Sequence, residues 1–567
     1  MAGVVRAGIV TAGASLLFGL LFAAPAPALP TVVRAGGPSA PDERKIAIVV
    51  SDRDLRGRRF AVRPAAGGAV LVRGTLRRAS GGSAPWRRAY RADLSAVNGP
   101  GAYRVHVGAV SSRPWVVRPD GSRGLIDHIL GFLRANRDGH EPSPIHGPAH
   151  LNDAIVHPDS PVHGGEPFDL TGGWMDAGDT LHFTQTTAFV TAVLEASARL
   201  APAAAPELEA EADVGVRWLQ AAHPEPDLFI AQVADRRDHL HGFRDPEEDD
   251  ESPLPGIGTR LAYHAVGGDL GGKSAAALAL AYLRTGDAGL LTAAEEWYAA
   301  GRDAARSAPK LRNAGYPGYA ADFYFTPNWK DSMASGAAEL YRATCAAGSC
   351  EPEYQEDFKR YARSPQSGAY AALGAVDDFA SFGAAEACGA FGDPGPFDAE
   401  ARGIACRLLA ENGRIATRQA RSNAFGMPGY FTWGTTAQNG AAGALAALAT
   451  SAPRPPSGAC RVAAGARDWL LGRNQYGASF VIGYGPRAPR HPHHWATLIG
   501  PGLPTGAVVG GVALRREVKA EGFGARNRFA SRRLVYEDRR ANYVTSEPGI
   551  DYSAASVLLL AALDGRC

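Results

Sequence analysis

The chain has 567 residues, enough for two or more units and a sizeable core. Its charge is nearly balanced, with 59 Lys and Arg against 57 Asp and Glu, so the total argues against a nucleic-acid binder and against an acidic tail. Hydrophobic content of 46% is ordinary for a globular protein, and abundant Gly and Ala favour close-packed helices with turn-rich connections.

Residues 1–28 read as an export signal. Arg6 supplies the positive start, Ala7 to Ala24 form an apolar run, and Ala26-Pro27-Ala28 fits small-x-small cleavage. The most apolar stretch, Ala14 to Ala24, is short for a membrane span, so a secreted protein that leaves the membrane after cleavage is expected. Six cysteines in that setting predict disulfides. Cys345 with Cys350 is the simplest pair. The partners of Cys388, Cys406, Cys460 and Cys567 stay open, and the spacings fit no common zinc pattern.

Residues 29–43, rich in Pro, Gly and Ala, read as a linker. From 44 to 119 short apolar runs alternate with glycine-marked turns. Ile46 to Val50, Arg59 to Val62, Ala69 to Val72, Tyr103 to Val107 and Trp115 to Val117 predict the strands of a small β-sandwich. From 120 to 567 the pattern is helical. Helices are expected near 125–133, 187–200, 207–221, 273–284, 288–306, 332–344, 440–449, 460–471 and 553–563. Long loops carrying His, Trp and Pro separate them, and loops of that length usually carry function.

Three of these loops hold chemistry. Gly172-Gly173-Trp174-Met175-Asp176-Ala177-Gly178-Asp179 sets two carboxylates three residues apart beside tight-turn glycines, so both can face one water. A capped helix start or a calcium loop is the competing reading. Glu547 sits among Tyr536, Tyr543 and Tyr552; partial desolvation there raises a carboxyl pKa and suits a general acid, whereas a surface Glu before the last helix is the plainer alternative. Between them Tyr484 to Trp495 is a proline-stiffened loop crowded with His491, His493 and His494, fitted to sugar hydroxyls or, less well, to a metal. Trp174, Tyr324, Trp329, Tyr430, Trp433 and Trp495 lie in loop-like segments where sugar rings could stack.

Together these stretches resemble, in order, the signatures of glycoside hydrolase family 9, the inverting cellulase family. The Gly-Gly-Trp-x-Asp-Ala-Gly-Asp element is highly specific. Tyr536, Asp538, Tyr543 and Glu547 match a second element, and Leu471-Gly-Arg-Asn474 with Phe480 to Gly485 matches the approach to the His loop. Gly99 to Tyr103 and Pro114 resemble the immunoglobulin-like module that precedes one branch of the family. The resemblance implies a mainly α protein: an (α/α)6 barrel over 120–567, preceded by an all-β sandwich over 44–119. It implies Asp179 as general base, Asp176 as its partner in holding water, and Glu547 as general acid. It places His493, His494, Trp495, Trp174, Trp329, Tyr430, Trp433 and Tyr543 against a polysaccharide chain. No cofactor and no catalytic metal are required. Calcium enters only as a structural ion, for which the acidic loop Asp245 to Glu251 offers oxygens, although a solvated acidic loop is the plainer reading of that stretch. A monomer with a glycan substrate and no nucleic-acid partner is expected.

Two departures matter. Trp495 stands where the family carries an Arg, and Ser546 where it carries Asn before the acid. The first reading is hydrolysis of β-1,4-glucan; the others are another glycan, an amino-sugar or cell-envelope polymer, and a carbohydrate binder without turnover. On that basis Trp495→Arg is expected to shift preference toward glucan.

Overall fold

Strict alternation along Arg59-Phe-Ala-Val-Arg puts Phe60 and Val62 on one face and arginines on the other, and this two-residue period organises the amino-terminal domain. The computed structural model describes residues 28–307, 324, 328–364, 374, 378–499, 502–524 and 527–567. The expected export signal lies outside them, apart from Ala28. Nine strands form the domain: β1 (Val32–Arg34), β2 (Ile46–Ser51), β3 (Arg59–Pro64), β4 (Val72–Thr75), β5 (Arg77–Arg78), β6 (Arg88–Asp93), β7 (Gly101–Val107), β8 (Val110–Ser111) and β9 (Trp115–Val117). One sheet runs β1-β2-β6-β5 and the other β4-β3-β7-β8, with β9 also on β7. Their inner faces meet through Val49, Tyr90, Phe60, Val62, Val105 and Trp115.

The stretch 29–43 is a correction to the sequence reading. Val32–Arg34 pairs antiparallel with β2, and Ser39 bridges to Val117. The segment then docks on the helical domain, where Glu43 pairs with buried Arg467 at 2.7 Å. Composition suggested slack; tertiary contacts remove it.

Among the described residues, twelve helices of eight or more residues build the second domain: α1 (Gly124–Ala135), α2 (Thr184–Leu200), α3 (Ala205–Ala221), α4 (Gly268–Thr285), α5 (Ala288–Ser307), α6 (Lys330–Ala346), α7 (Pro352–Ala362), α8 (Ala380–Ala387), α9 (Ala399–Ser422), α10 (Thr435–Leu448), α11 (Ala459–Leu470) and α12 (Ile550–Arg566). Consecutive helices pack as hairpins, α2 on α3, α4 on α5, α6 on α7, α8 on α9 and α10 on α11, and α12 closes on α1 and α2. This is an (α/α)6 barrel. Inner helices are buried nearly all round, as in α2, where only Arg199 of 17 residues is not buried. Outer helices such as α9 bury one stripe. Small residues let the inner ring close: a Cβ on Gly272 in α4 would lie 2.3 Å from the Ser332 carbonyl carbon in α6.

The helical stretch is not purely helical. Ile155–Val156, Leu261–His264, Ile230–Val233 and His182–Phe183 form a four-stranded sheet in that order, its edge strand His182–Phe183 following the Asp176 loop, and Ala513–Leu514 pairs with Leu534–Val535. The described cysteines join as Cys345–Cys350, Cys388–Cys406 and Cys460–Cys567. No single described helix is long and apolar enough to cross a membrane.

Candidate active site

Backbone hydrogen bonds bring the three sequence-distant loops together. The Trp495 N–H donates to the Gly178 carbonyl at 2.9 Å, His493 N–H to Ser546 O at 3.1 Å, and Ile550 N–H to Asp176 O at 3.0 Å. Gly178 is needed for that approach, because a Cβ there would lie 2.1 Å from the His493 carbonyl oxygen. Side chains lock the same junction. Ala496 N–H donates to His494 Nδ1 at 3.2 Å, His494 Nε2–H donates to Asn136 Oδ1 at 3.0 Å, and the Asn136 amide donates to Met175 O and Ala177 O.

The result is a cleft of about 830 Å³ whose lining includes Asp176, Asp179, His493, Trp433, Tyr543 and Glu547. Asp176 is buried. Thr186 Oγ1 donates to its Oδ1 at 2.5 Å and the Tyr324 hydroxyl to its Oδ2. Burial, and then the charge of Asp551, push its carboxyl well above the usual range. Asp179 is more open; His239 Nδ1 holds its Oδ2 at 2.7 Å, leaving Oδ1 with one long bond from Leu181 N–H at 3.4 Å. Burial first, then Asp179 and Asp176, drive the Glu547 carboxyl well above its ordinary value, against one hydrogen bond from Gly178 N–H. Burial lowers His493, whose Nδ1 faces Arg540 O at 2.9 Å, so its ring is neutral at neutral pH. The chemistry available is a proton held on Glu547 by burial, in the same cleft as the more open Asp179.

Several expected sugar contacts are corrected. Trp174 is fully buried and donates its indole N–H to Glu211 Oε1 at 2.9 Å, so it fixes the loop from beneath. His494 is fully buried in the lock just described. Trp495 is 1% exposed, packed with Met175, Ile145 and Phe243, and edge-on to His146; it fills the cleft floor instead of offering a stacking surface. Trp329 packs against Tyr361 and, like Tyr430, is half-buried and outside the described cleft lining. Trp433, 38% exposed, and Tyr543 remain as a platform, with ring centroids 5.5 Å apart. Sequence reasoning missed His239, Thr186 and Asp551. None belongs to a motif with a recognisable spacing, though Asp551 follows Glu547 by four residues on the way into α12.

Metal fits poorly. In the acidic loop Asp249 pairs with Arg244 and His150, Asp250 accepts from Leu151 and Asn152 N–H groups, and Glu247 from Gly147 N–H. These three side chains are held by protein donors. Asp138, His150 and His182 do converge. However, Asp138 Oδ2 already meets both imidazoles at 2.6 and 2.7 Å and the Arg260 guanidinium at 3.4 Å. A second cation would be repelled.

A helical barrel whose cleft is lined by Asp176, Asp179 and Glu547 beside an aromatic platform has the parts of a glycosidase. The glycosyl hydrolase family 9 profile matches residues 123–560, and a cellulase N-terminal ig-like domain profile matches residues 40–112. The chain belongs to glycosyl hydrolase family 9. It is 27% identical over 475 residues to an endoglucanase of Dictyostelium discoideum, a match covering 77% of this chain and 60% of that protein. It is 29% identical over 361 residues to Endoglucanase 15 of Arabidopsis thaliana, covering 58% of this chain and 69% of that one. Its fold superposes on a metagenome-derived family 9 endoglucanase with a TM-score of 0.76 at 24% identity, covering 94% of this chain and 99% of the other. A structure of AaCel9A in complex with cellobiose-like isofagomine gives the same TM-score at 21% identity, covering 94% and 99%.

Proposed function

We propose that this protein is exported and hydrolyses β-1,4-glucan chains with inversion at the anomeric carbon. The observation that carries this is the contrast between Glu547, held protonated by burial, and Asp179, oriented by His239 with one oxygen left for water. Glu547 gives its proton to the glycosidic oxygen as the C1–O bond breaks. Asp179 takes a proton from water as the water oxygen bonds to C1 from the opposite face. Asp176, gripped by Thr186 and Tyr324, helps hold that water. The relatives named endoglucanases support the substrate class.

Glu547→Gln is expected to lower turnover on glucan by about 10²–10⁴-fold, with a smaller loss on aryl glycosides whose leaving group needs no proton. Proton NMR of the first product is expected to show the α-anomer. A β-anomer would overturn inversion.

One observation favours a second reading, an acidic cell-envelope glycan. A groove of about 750 Å³ shares Phe243 and His493 with the cleft; Arg490, His491, Arg539 and Arg540 line it with one carboxylate, Asp538, which accepts from the Arg490 and His491 backbone N–H groups. The three guanidiniums have no ion-pair partner among the described residues. Such a lip repels an amino-sugar polymer and attracts carboxylates. Faster release from carboxyl-bearing glycans than from neutral glucan would select this reading.

A further inference from the structure

The near-zero total charge hides a strong asymmetry. Residues 44–119 hold sixteen Lys and Arg against three Asp and no Glu, so the rest of the chain carries the surplus of carboxylates. The two sheets of the sandwich differ in what they face. Ile48, Val50 and Ala89, on the outer side of the β2 and β6 sheet, belong to the same apolar core as the helical domain. The outer side of the β4-β3-β7-β8 sheet is not covered. It displays Arg59, Arg63 and Arg73, all exposed, beside half-buried Arg104 and His106.

Register makes these one patch. Arg63 lies directly opposite Arg104, and Ala61 lies between Arg73 on one side and His106 on the other. Like charges directly opposite on a sheet cost stability. No carboxylate occurs in any of these strands, and none of the four arginines has an ion pair among the described residues. The three acids of the domain are elsewhere. Asp52 and Asp54 take the Leu29 N–H and the Tyr90 hydroxyl after β2, and Asp93 lies 3.8 Å from Arg44 at the end of β6.

We propose that this outer face is a docking surface for an anionic polysaccharide, a chain bearing carboxylates on recurring sugars. Neighbouring strands stand about 4.8 Å apart and alternate residues about 6.7 Å apart, so the guanidiniums form a lattice that carboxylates meet with paired hydrogen bonds. On this face no Phe, Tyr or Trp points outward for base stacking, and it offers no helix to a major groove, so nucleic acid fits less well. Beside small residues such as Ala61 and Ala102 it carries one large exposed apolar side chain, Leu71, and a single leucine gives a lipid surface little to hold. The inference stands on the sandwich and is independent of the catalytic reading.

The test uses the full chain carrying Glu547→Gln, so that bound glycan is not cut, and measures its affinity for polygalacturonate at low and moderate salt. Arg59→Gln/Arg63→Gln/Arg73→Gln/Arg104→Gln is expected to lose at least tenfold in affinity and most of the salt dependence. That dependence should have a slope near −3 for four contacts, at about −0.7 per contact for a flexible polyanion. Removing four exposed arginines of α9 instead, at 402, 407, 414 and 418, changes net charge equally and is expected to change affinity less than twofold. Thermal unfolding of each variant shows that it is folded. Equal losses in both variants, or none in the first, would overturn the proposal. Tighter binding to duplex DNA or to phosphatidylserine vesicles than to polygalacturonate would also overturn it, assigning the face to another partner.

Discussion

His494 is held in one tautomer, with Nε2–H donating to Asn136 and Nδ1 accepting from Ala496, and a proton on Nδ1 would destroy the second bond. Burial first, then His493 and His146, lower its pKa to about 3. In the unfolded chain it titrates near 6.5. The unfolded state therefore binds the proton first on acidification, so this contribution is complete above about pH 6.5 and is lost as pH falls toward 3, by up to about 5 kcal/mol. Denaturant titrations across that window should show the loss, and His494→Gln should flatten it. Trp495 revises an expectation at the same scale. A guanidinium in its place would sit in a nearly closed apolar setting, so Trp495→Arg is expected to cost on the order of 3 kcal/mol or more before any change in preference. An unchanged midpoint with faster glucan hydrolysis would restore the earlier idea. Asp176, Asp179 and Glu547 were legible because turn glycines and clustered aromatics mark them in the sequence. The roles of Trp174 and His494 were not, because a sequence shows which residue is present and not which way its ring points.

Among the elements, the short helix Arg236–His241 has one functional consequence: it carries His239 to Asp179. His239→Ala is expected to lower kcat by about tenfold or more while KM moves little, since a misplaced base costs the chemical step. Equal changes in both would assign His239 to substrate binding. No periodicity flags this helix, which is only six residues long. The two-residue strands 155–156 and 182–183 escaped for a similar reason, since a period of two needs more than two residues to appear. The long helices did show, because outer ones bury one stripe. Inner ones such as α4 read as apolar stretches, here from 273; the helix in fact starts at Gly268, and Gly272 within it packs closely on Ser332. Gly272→Ala is expected to destabilise by about 1–3 kcal/mol through overpacking.

At the scale of the whole molecule, the sandwich and the barrel share one apolar core through Ile48, Val50 and Trp86, and a buried ionic seam in which Arg467 holds Glu43 and Asp468. Scanning calorimetry is expected to show the two domains melting in one transition, and separated transitions would contradict a shared core. The order "sandwich, then helical domain" was legible from the switch of period near residue 120. The seam was not, because its partners lie more than 400 residues apart in the chain. That seam has a practical consequence. The sandwich is no detachable cassette: cutting the gene at its apparent boundary would leave an oily wound on each fragment, so anyone shortening or swapping this enzyme must redesign two surfaces at once.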